Sequence, residues 1–251
     1  NNTGLTPDVS LSGSGTLTFV GPETGILGNS QSDAYLLHTG NHTINGSGDL
    51  QRITIENNAA FDIAGGNLFL DRATVFGTGT IDVAGDAALV IANNSSVTGN
   101  TITIANGGAL DGQVNSVIGN GTTIQGTAQL WLDIFNVLQL EGTITNDAAL
   151  TFLFDDTDND SFDIDNRILV ADTGLTPDVS LLGTGSITFD GPETGIQGTS
   201  QPNALLVHGA DHTVEGNGLF ARISVQNLGQ VNAIGGELGL SNNTDTGGGN
   251  F

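Results

Sequence analysis

The sequence predicts an all-β chain wound as a parallel β-helix, a β-solenoid with three strands per coil and about 20–21 residues per coil. Three observations carry the prediction. A long stretch of sequence is repeated within the chain. Short alternating strands are separated by turn residues. Apolar positions recur in three columns with a common step.

The long repeat weighs most, because internal periodicity determines the class of fold. "TGLTPDVSLSGSGTLTF" at 3–19 returns as "TGLTPDVSLLGTGSITF" at 173–189. "GPETGI" at 21–26 returns at 191–196, and His38, His42 and Thr43 return as His208, His212 and Thr213. Every pair is offset by 170, and residues 3–70 match 173–240 at 36 of 68 positions. That agreement, with no insertion, marks an internal duplication. It divides the 251 residues into a complete unit, 1–170, and a partial second copy, 171–251, expected to stack on the first.

Short strands fill the repeat. "ITI" at 53–55, "FDI" at 61–63, "IDV" at 81–83 and "TITI" at 101–104 alternate apolar and polar residues, with Gly, Asn and Asp between them. Such segments are the all-β signature. Gly and Asn supply the positive φ angles that sharp corners need, and Asn residues stacked coil over coil can form amide ladders. "QLWLDIFNVLQL" at 129–140 fits a strand reading, because Leu130 and Leu138 fall on the columns.

The columns set the length of a coil. One runs Ile63, Val83, Ile104, Ile124, Ile144, in four nearly equal steps. A second runs Leu70, Ile91, Leu110, Leu130, Leu150, and a third Ile55, Val75, Val97, Val117, Leu138. Residues one coil apart would stack inside a tube, each strand pairing in parallel with its equivalent. Eight coils of about 20 residues nearly fill one long repeat, so it reads as an eight-coil module with a small insertion, and the chain as a rod of about 12 coils.

Charge narrows the function classes. There are 27 acidic residues, no lysine, and four arginines (Arg52, Arg72, Arg167, Arg222), for a formal net charge of −23. Nucleic-acid binding works by cations displacing phosphate counterions, which this chain almost lacks. No apolar run is long enough to support insertion into a membrane as a helix. There is no cysteine, so disulfides are excluded. There is also no methionine, as expected of a processed chain or a piece of a longer array.

With "GSGTLTF" (13–19), "GTGTIDVAGDAALVIANNS" (77–95) and "GNTITIANGGALDG" (99–112) in view, the chain resembles bacterial secreted β-strand-repeat surface proteins. These are the passenger domains of autotransporters and the filamentous-haemagglutinin-type adhesins. The resemblance implies a right-handed winding, an extracellular or cell-surface location, and a role in adhesion or filament construction. The expected partners are neighbouring copies of the chain itself and cell-surface glycans.

Four groups of residues are candidates for chemistry. "DDTDNDSFDID" at 155–165 places Asp156, Asp158 and Asp160 at the alternate spacing that wraps carboxylates around calcium, with Asp163 and Asp165 as further ligands. The EF-hand pattern is not met, since Ser161 and Arg167 stand where Gly and Glu belong. His38 and His42, copied as His208 and His212, have a metal-chelating spacing but no third ligand nearby in sequence, and read as surface or corner histidines. Thr80, Thr101, Thr103, Thr123, Thr143 and Thr145 suggest an outward threonine array of the kind that binds ice, interrupted by Asp82 and Gln125. A β-helix enzyme acting on polysaccharides, a lyase or hydrolase, is the alternative to the structural role. It would need carboxylate pairs or one of the arginines. A chain that preserves its repeat argues against the single broken-symmetry site an enzyme needs.

Overall fold

A computed structural model describes residues 7–21, 23–29, 34–132, 137–152, 166–174, 177–199, 204–241, 244–245 and 247–250. These residues form 25 strands and no helix, joined in one sheet whose ladders are parallel. The chain is a β-solenoid.

The first coil is β1 (Val9–Leu11), β2 (Gly15–Thr18) and β3 (Gly25–Leu27), and the second is β4 (Tyr35–His38), β5 (His42–Asn45) and β6 (Gly48–Gln51). From the third coil onward one long bent strand often serves two sides. The third coil is β7 (Thr54–Asn57) and β8 (Ala60–Asp71), and the fourth is β9 (Thr74–Phe76), β10 (Thr80–Val83) and β11 (Ala87–Ala92). The fifth is β12 (Ser96–Thr98) and β13 (Thr101–Gly112), the sixth β14 (Ser116–Gly119) and β15 (Thr123–Trp131), and the seventh β16 (Val137–Leu140) and β17 (Gly142–Phe152). There follow β18 (Asn166–Val170), β19 (Val179–Leu182), β20 (Ser186–Gly198), β21 (Leu205–His208), β22 (Thr213–Ala221), β23 (Ser224–Asn227), β24 (Gln230–Ser241) and β25 (Thr244–Asp245).

Pairing sorts these strands into three sides. The first side runs β1, β4, β7, β9, β12, β14, β16, β18, then the second halves of β20, β22 and β24. The second runs β2, β5, the first halves of β8, β13, β15 and β17 with β10 among them, then β19, β21, β23 and β25. The third runs β3, β6, the second half of β8, β11, the second halves of β13, β15 and β17, then the first halves of β20, β22 and β24. With strands about 4.8 Å apart, the longer sides span about 50 Å.

The core is the stack of inward side chains. On the first side Leu36, Ile55, Val75, Val97, Ile118, Leu140 and Val170 follow one another in register, all buried. On the second, Ile44, Ile63, Val83 and Ile104 do the same, and on the third, Leu68, Leu89, Leu110, Leu130 and Phe152. Alternation produces this arrangement: Ile102 and Ile104 face in while Thr101 and Thr103 are half-buried on the outer face.

Two of the predicted columns drift. Val83 lies beside Ile104 as expected, but Ile104 pairs with Gly126, and Ile124 pairs with Ile102 and Asn146. Likewise Leu110 pairs with Leu89 and Leu130, while Ile91 pairs with Gly112. Both are slips of one full pleat, which keep apolar residues inside and so leave no trace in the pattern. Val117 departs differently, because Ile118 stands in the column and Val117 faces outward. Adjacent Val and Ile fit either phase, and a one-residue shift exchanges the faces.

The eight-coil count is also corrected. From β1 to β18 the pairings make seven coils and one additional strand. The coils are unequal. Val9 pairs with Leu36 and Val137 with Arg167, both long excursions, whereas Tyr35 pairs with Thr54 after a much shorter one. Dividing the repeat by the short step therefore overcounts, and among the described residues the sides hold ten or eleven strands against the 12 coils expected. The consequence is a rotation. β19 repeats β1, yet β1 begins the first side and β19 lies on the second, seated on β17. Similarly β20 repeats β2 and β3, and rests on β17 and β18. The second copy continues the first turned by one side.

Candidate functional site

The polar residues of most interest lie inside the corner between β4 and β5 and its equivalents. Sequence places His38, His42, His208 and His212 at a surface or corner. They are at the corner, but buried. The chain turns there, and inward side chains next to a corner meet the backbone carbonyls of neighbouring coils, which polar groups must satisfy.

In the second copy the hydrogen bonds form one directed line. Asn146 Oδ1 accepts the Ala148 N–H at 3.1 Å, which leaves Asn146 Nδ2 as the donor to His212 Nε2 at 2.9 Å. His212 therefore carries its proton on Nδ1 and donates to His208 Nε2 at 2.9 Å. His208 Nδ1 then donates to Asn227 Oδ1 at 2.7 Å, whose orientation is fixed by the Gly229 N–H at 3.2 Å. Asn227 Nδ2 ends the line on the carbonyl of Asn250 at 3.2 Å. Both imidazoles are neutral in this arrangement. Burial pushes the His208 pKa down, and burial with the neighbouring His208 takes His212 down to about 3.

The first copy repeats the arrangement. His38 Nδ1 donates to Asn57 Oδ1 at 2.6 Å, and His42 Nδ1 lies 2.9 Å from His38 Nε2 and 2.7 Å from the Gly40 carbonyl. His38 stacks on Phe61 with ring centroids 3.7 Å apart. Burial holds the His38 pKa below its usual value. Asn57 Nδ2 donates to the Thr80 carbonyl of the next coil at 3.1 Å and reaches past that coil to Asn100 Oδ1 at 2.8 Å. The intervening coil presents Gly79, where a Cβ would sit 2.7 Å from Asn57 Nδ2 and 2.3 Å from the Ala59 carbonyl. The glycine leaves room for the amide. The one sequence clue to this buried polar corner is a glycine, Gly79, at the same corner one coil on from Asn57.

The second feature is the uncovered edge of β1–β3. Val9 is 60 % exposed and Leu27 63 %, whereas Val179, which repeats Val9, is 0 % exposed. Leu11, Leu17 and Ile26 are half-buried, and their repeats Leu181, Ile187 and Ile196 are buried. Two open grooves of about 240 Å³ lie at this edge, one lined by Val9, Ile26, Leu27 and Tyr35, the other by Glu23, Ile26 and Asp49. Both fall below the usual size of a small-molecule site.

The outer face of the second side carries the threonines. Thr80, Thr101, Thr123 and Thr145 stand in one register column. The column beside it reads Asp62, Asp82, Thr103, Gln125, Asp147, so the array is one threonine wide. Three of the arginines serve corners. Arg52 and Arg72 adopt φ near +52° between the third and first sides of their coils. Arg222, the repeat of Arg52, adopts the same φ between the first and second sides, as the rotation requires. Arg72 pairs with Asp71 at 3.0 Å. Asn94 and Asn115 occupy the same kind of corner and form the expected amide ladder, Asn115 Nδ2 to Asn94 Oδ1 at 3.1 Å.

The predicted calcium ligands Asp156, Asp158, Asp160, Asp163 and Asp165 lie outside the described residues. Among the described residues no three His, Asp or Glu side chains gather as metal ligands. No family model, curated protein or solved structure matches the chain.

Proposed function

We propose that this chain is a structural or adhesive segment of a large extracellular bacterial surface or filament protein, forming a stiff, right-handed β-solenoid rod. The observation that carries the reading is the seam between the two copies. Phe152 of the first copy packs edge-on against Phe189 of the second at 5.2 Å, and Phe189 against Phe220 at 6.1 Å. Among the described residues the apolar core therefore continues across the boundary between copies, which supports one stiff rod over a string of separate domains. Neighbouring copies are its first partners, and cell-surface glycans a second class.

Electron microscopy tests this. Appending another 170-residue unit should lengthen the particle by about 35 Å without adding a bend, since seven and a third coils rise by that amount. Particles that gain a joint would overturn the rod. Release of product from a polysaccharide, abolished by substituting an arginine or a paired aspartate, would replace this reading with that of a β-helix enzyme.

A further inference from the structure

We infer that the β1–β3 edge is built to receive the β17–β18 edge of a preceding 170-residue copy in the same polypeptide, turned by one side. This deepens the rod reading and rests on it. The internal seam supplies the geometry. There β19 lies on the first half of β17, and β20 lies on the second half of β17 and on β18. β1, β2 and β3 repeat the sequence of β19 and β20, but among the described residues they pair only forward, with β4, β5 and β6.

Gly15 supplies an independent observation. A Cβ built on it meets nothing within 4 Å, and its φ lies outside the left-handed range. Neither local strain nor local crowding explains a glycine there. Its repeat, Gly185, faces the preceding coil, and a Cβ there would stand 2.2 Å from the Ala148 carbonyl and 2.7 Å from that of Asn146. Gly15 thus has the shape of a residue that meets a β17-like strand.

His42 supplies a third. It repeats His212, whose Nε2 takes its hydrogen bond from Asn146 in the preceding unit. By the 170-residue offset, the amide equivalent to Asn146 for His42 belongs to a preceding unit. An upstream copy would bring that amide to His42 Nε2 and bury the apolar edge at once. A separate molecule of this chain offers no such surface, because its own β17 and β18 are already covered by β19 and β20. The occupant is therefore an upstream unit, joined as residue 170 is joined to 171.

The test compares the 251-residue chain with a form carrying a second copy of residues 1–170 ahead of Asn1. Backbone amides of β1–β3 should exchange at least about tenfold more slowly in the extended form, approaching those of β19 and β20. Gly15→Val should leave the melting temperature of the short chain unchanged and lower that of the extended chain as Gly185→Val does. The exchange measurement needs no variant, so it decides the matter even if Gly185→Val fails to fold. Equal exchange in the two forms, or a Gly15→Val that stays harmless in the extended form, overturns the inference. Particle length separates this failure from that of the rod. A straight particle about 35 Å longer with an unprotected β1–β3 edge keeps the rod and rejects the seam, whereas a jointed particle rejects both.

Discussion

Asn146 and His212 are 66 positions apart in sequence and 2.9 Å apart in space. The contact joins the second side of one copy to the corner between β21 and β22 of the next, and it fixes the tautomer of both buried histidines behind it. The apolar stack supplies most of the driving force for folding, but it tolerates slips of one pleat. The directed line of hydrogen bonds does not, because a slip would separate its donors from its acceptors.

The histidines make stability depend on pH. His212 is held to about 3 in the folded chain, against about 6.5 when unfolded. Between these values the unfolded chain binds the additional proton, so this residue's contribution to stability is full above pH about 6.5 and falls as pH drops toward 3, by about 1.4 kcal/mol per pH unit. Denaturant unfolding at pH 6.5 and 5, above most carboxylate titration, should show the decline, and His212→Gln should make it shallower, leaving the share of His38 and His208. Parallel slopes in the two proteins would mean the imidazole is not held neutral.

The phenylalanine at the seam should matter more than its copy at the open edge. Phe189 is buried between Phe152 and Phe220, while Phe19 belongs to the uncovered first coil. Phe189→Ala is expected to cost about 3–5 kcal/mol, and Phe19→Ala less by about 2 kcal/mol. Urea midpoints of the two variants measure the difference.

Asn57 should not be replaceable by its nearest isostere. Asn57→Asp keeps the acceptor for His38 but removes the donor to Asn100 and Thr80. It leaves two buried acceptors facing a carboxylate. A loss of at least about 1–3 kcal/mol is expected, seen as a lower melting temperature at pH 7.

Arg222 sits at φ +52° with an exposed side chain. A left-handed corner costs a non-glycine residue about 1–2 kcal/mol. Arg222→Gly should raise or hold the unfolding free energy, and Arg222→Val should lower it, because a branched Cβ fits that region worst. Calorimetry on both variants checks the sign.

The winding itself was legible in the sequence. Val83 and Ile104, or Val75 and Val97, needed only alternation and a common step to be placed on adjacent strands. The common step misplaces Ile124 by one pleat, because inward positions recur every second residue and the step alone cannot choose among them. The burial of His38 and His212 was illegible for a related reason. A polar residue in strand-like sequence reads as outward unless its partners are known, and Asn57, Asn146 and Asn227 come from other coils. The rotation at the seam was hidden because a short coil, such as that from Tyr35 to Thr54, and a long one, such as that from Val137 to Arg167, average to a misleading whole number.

A unit of seven and one third coils closes on itself only after three copies, or 22 coils, a rise of about 106 Å. In an array of such units, coil-to-coil twist aside, consecutive copies would present a given corner like successive steps of a spiral stair. Anything grafted at the corner after Gly28 in one copy reappears after Gly198 in the next, a third of the way around the shaft. A partner confined to one flank would meet every third step, while a crowd of neighbours would find the filament equally furnished in all directions.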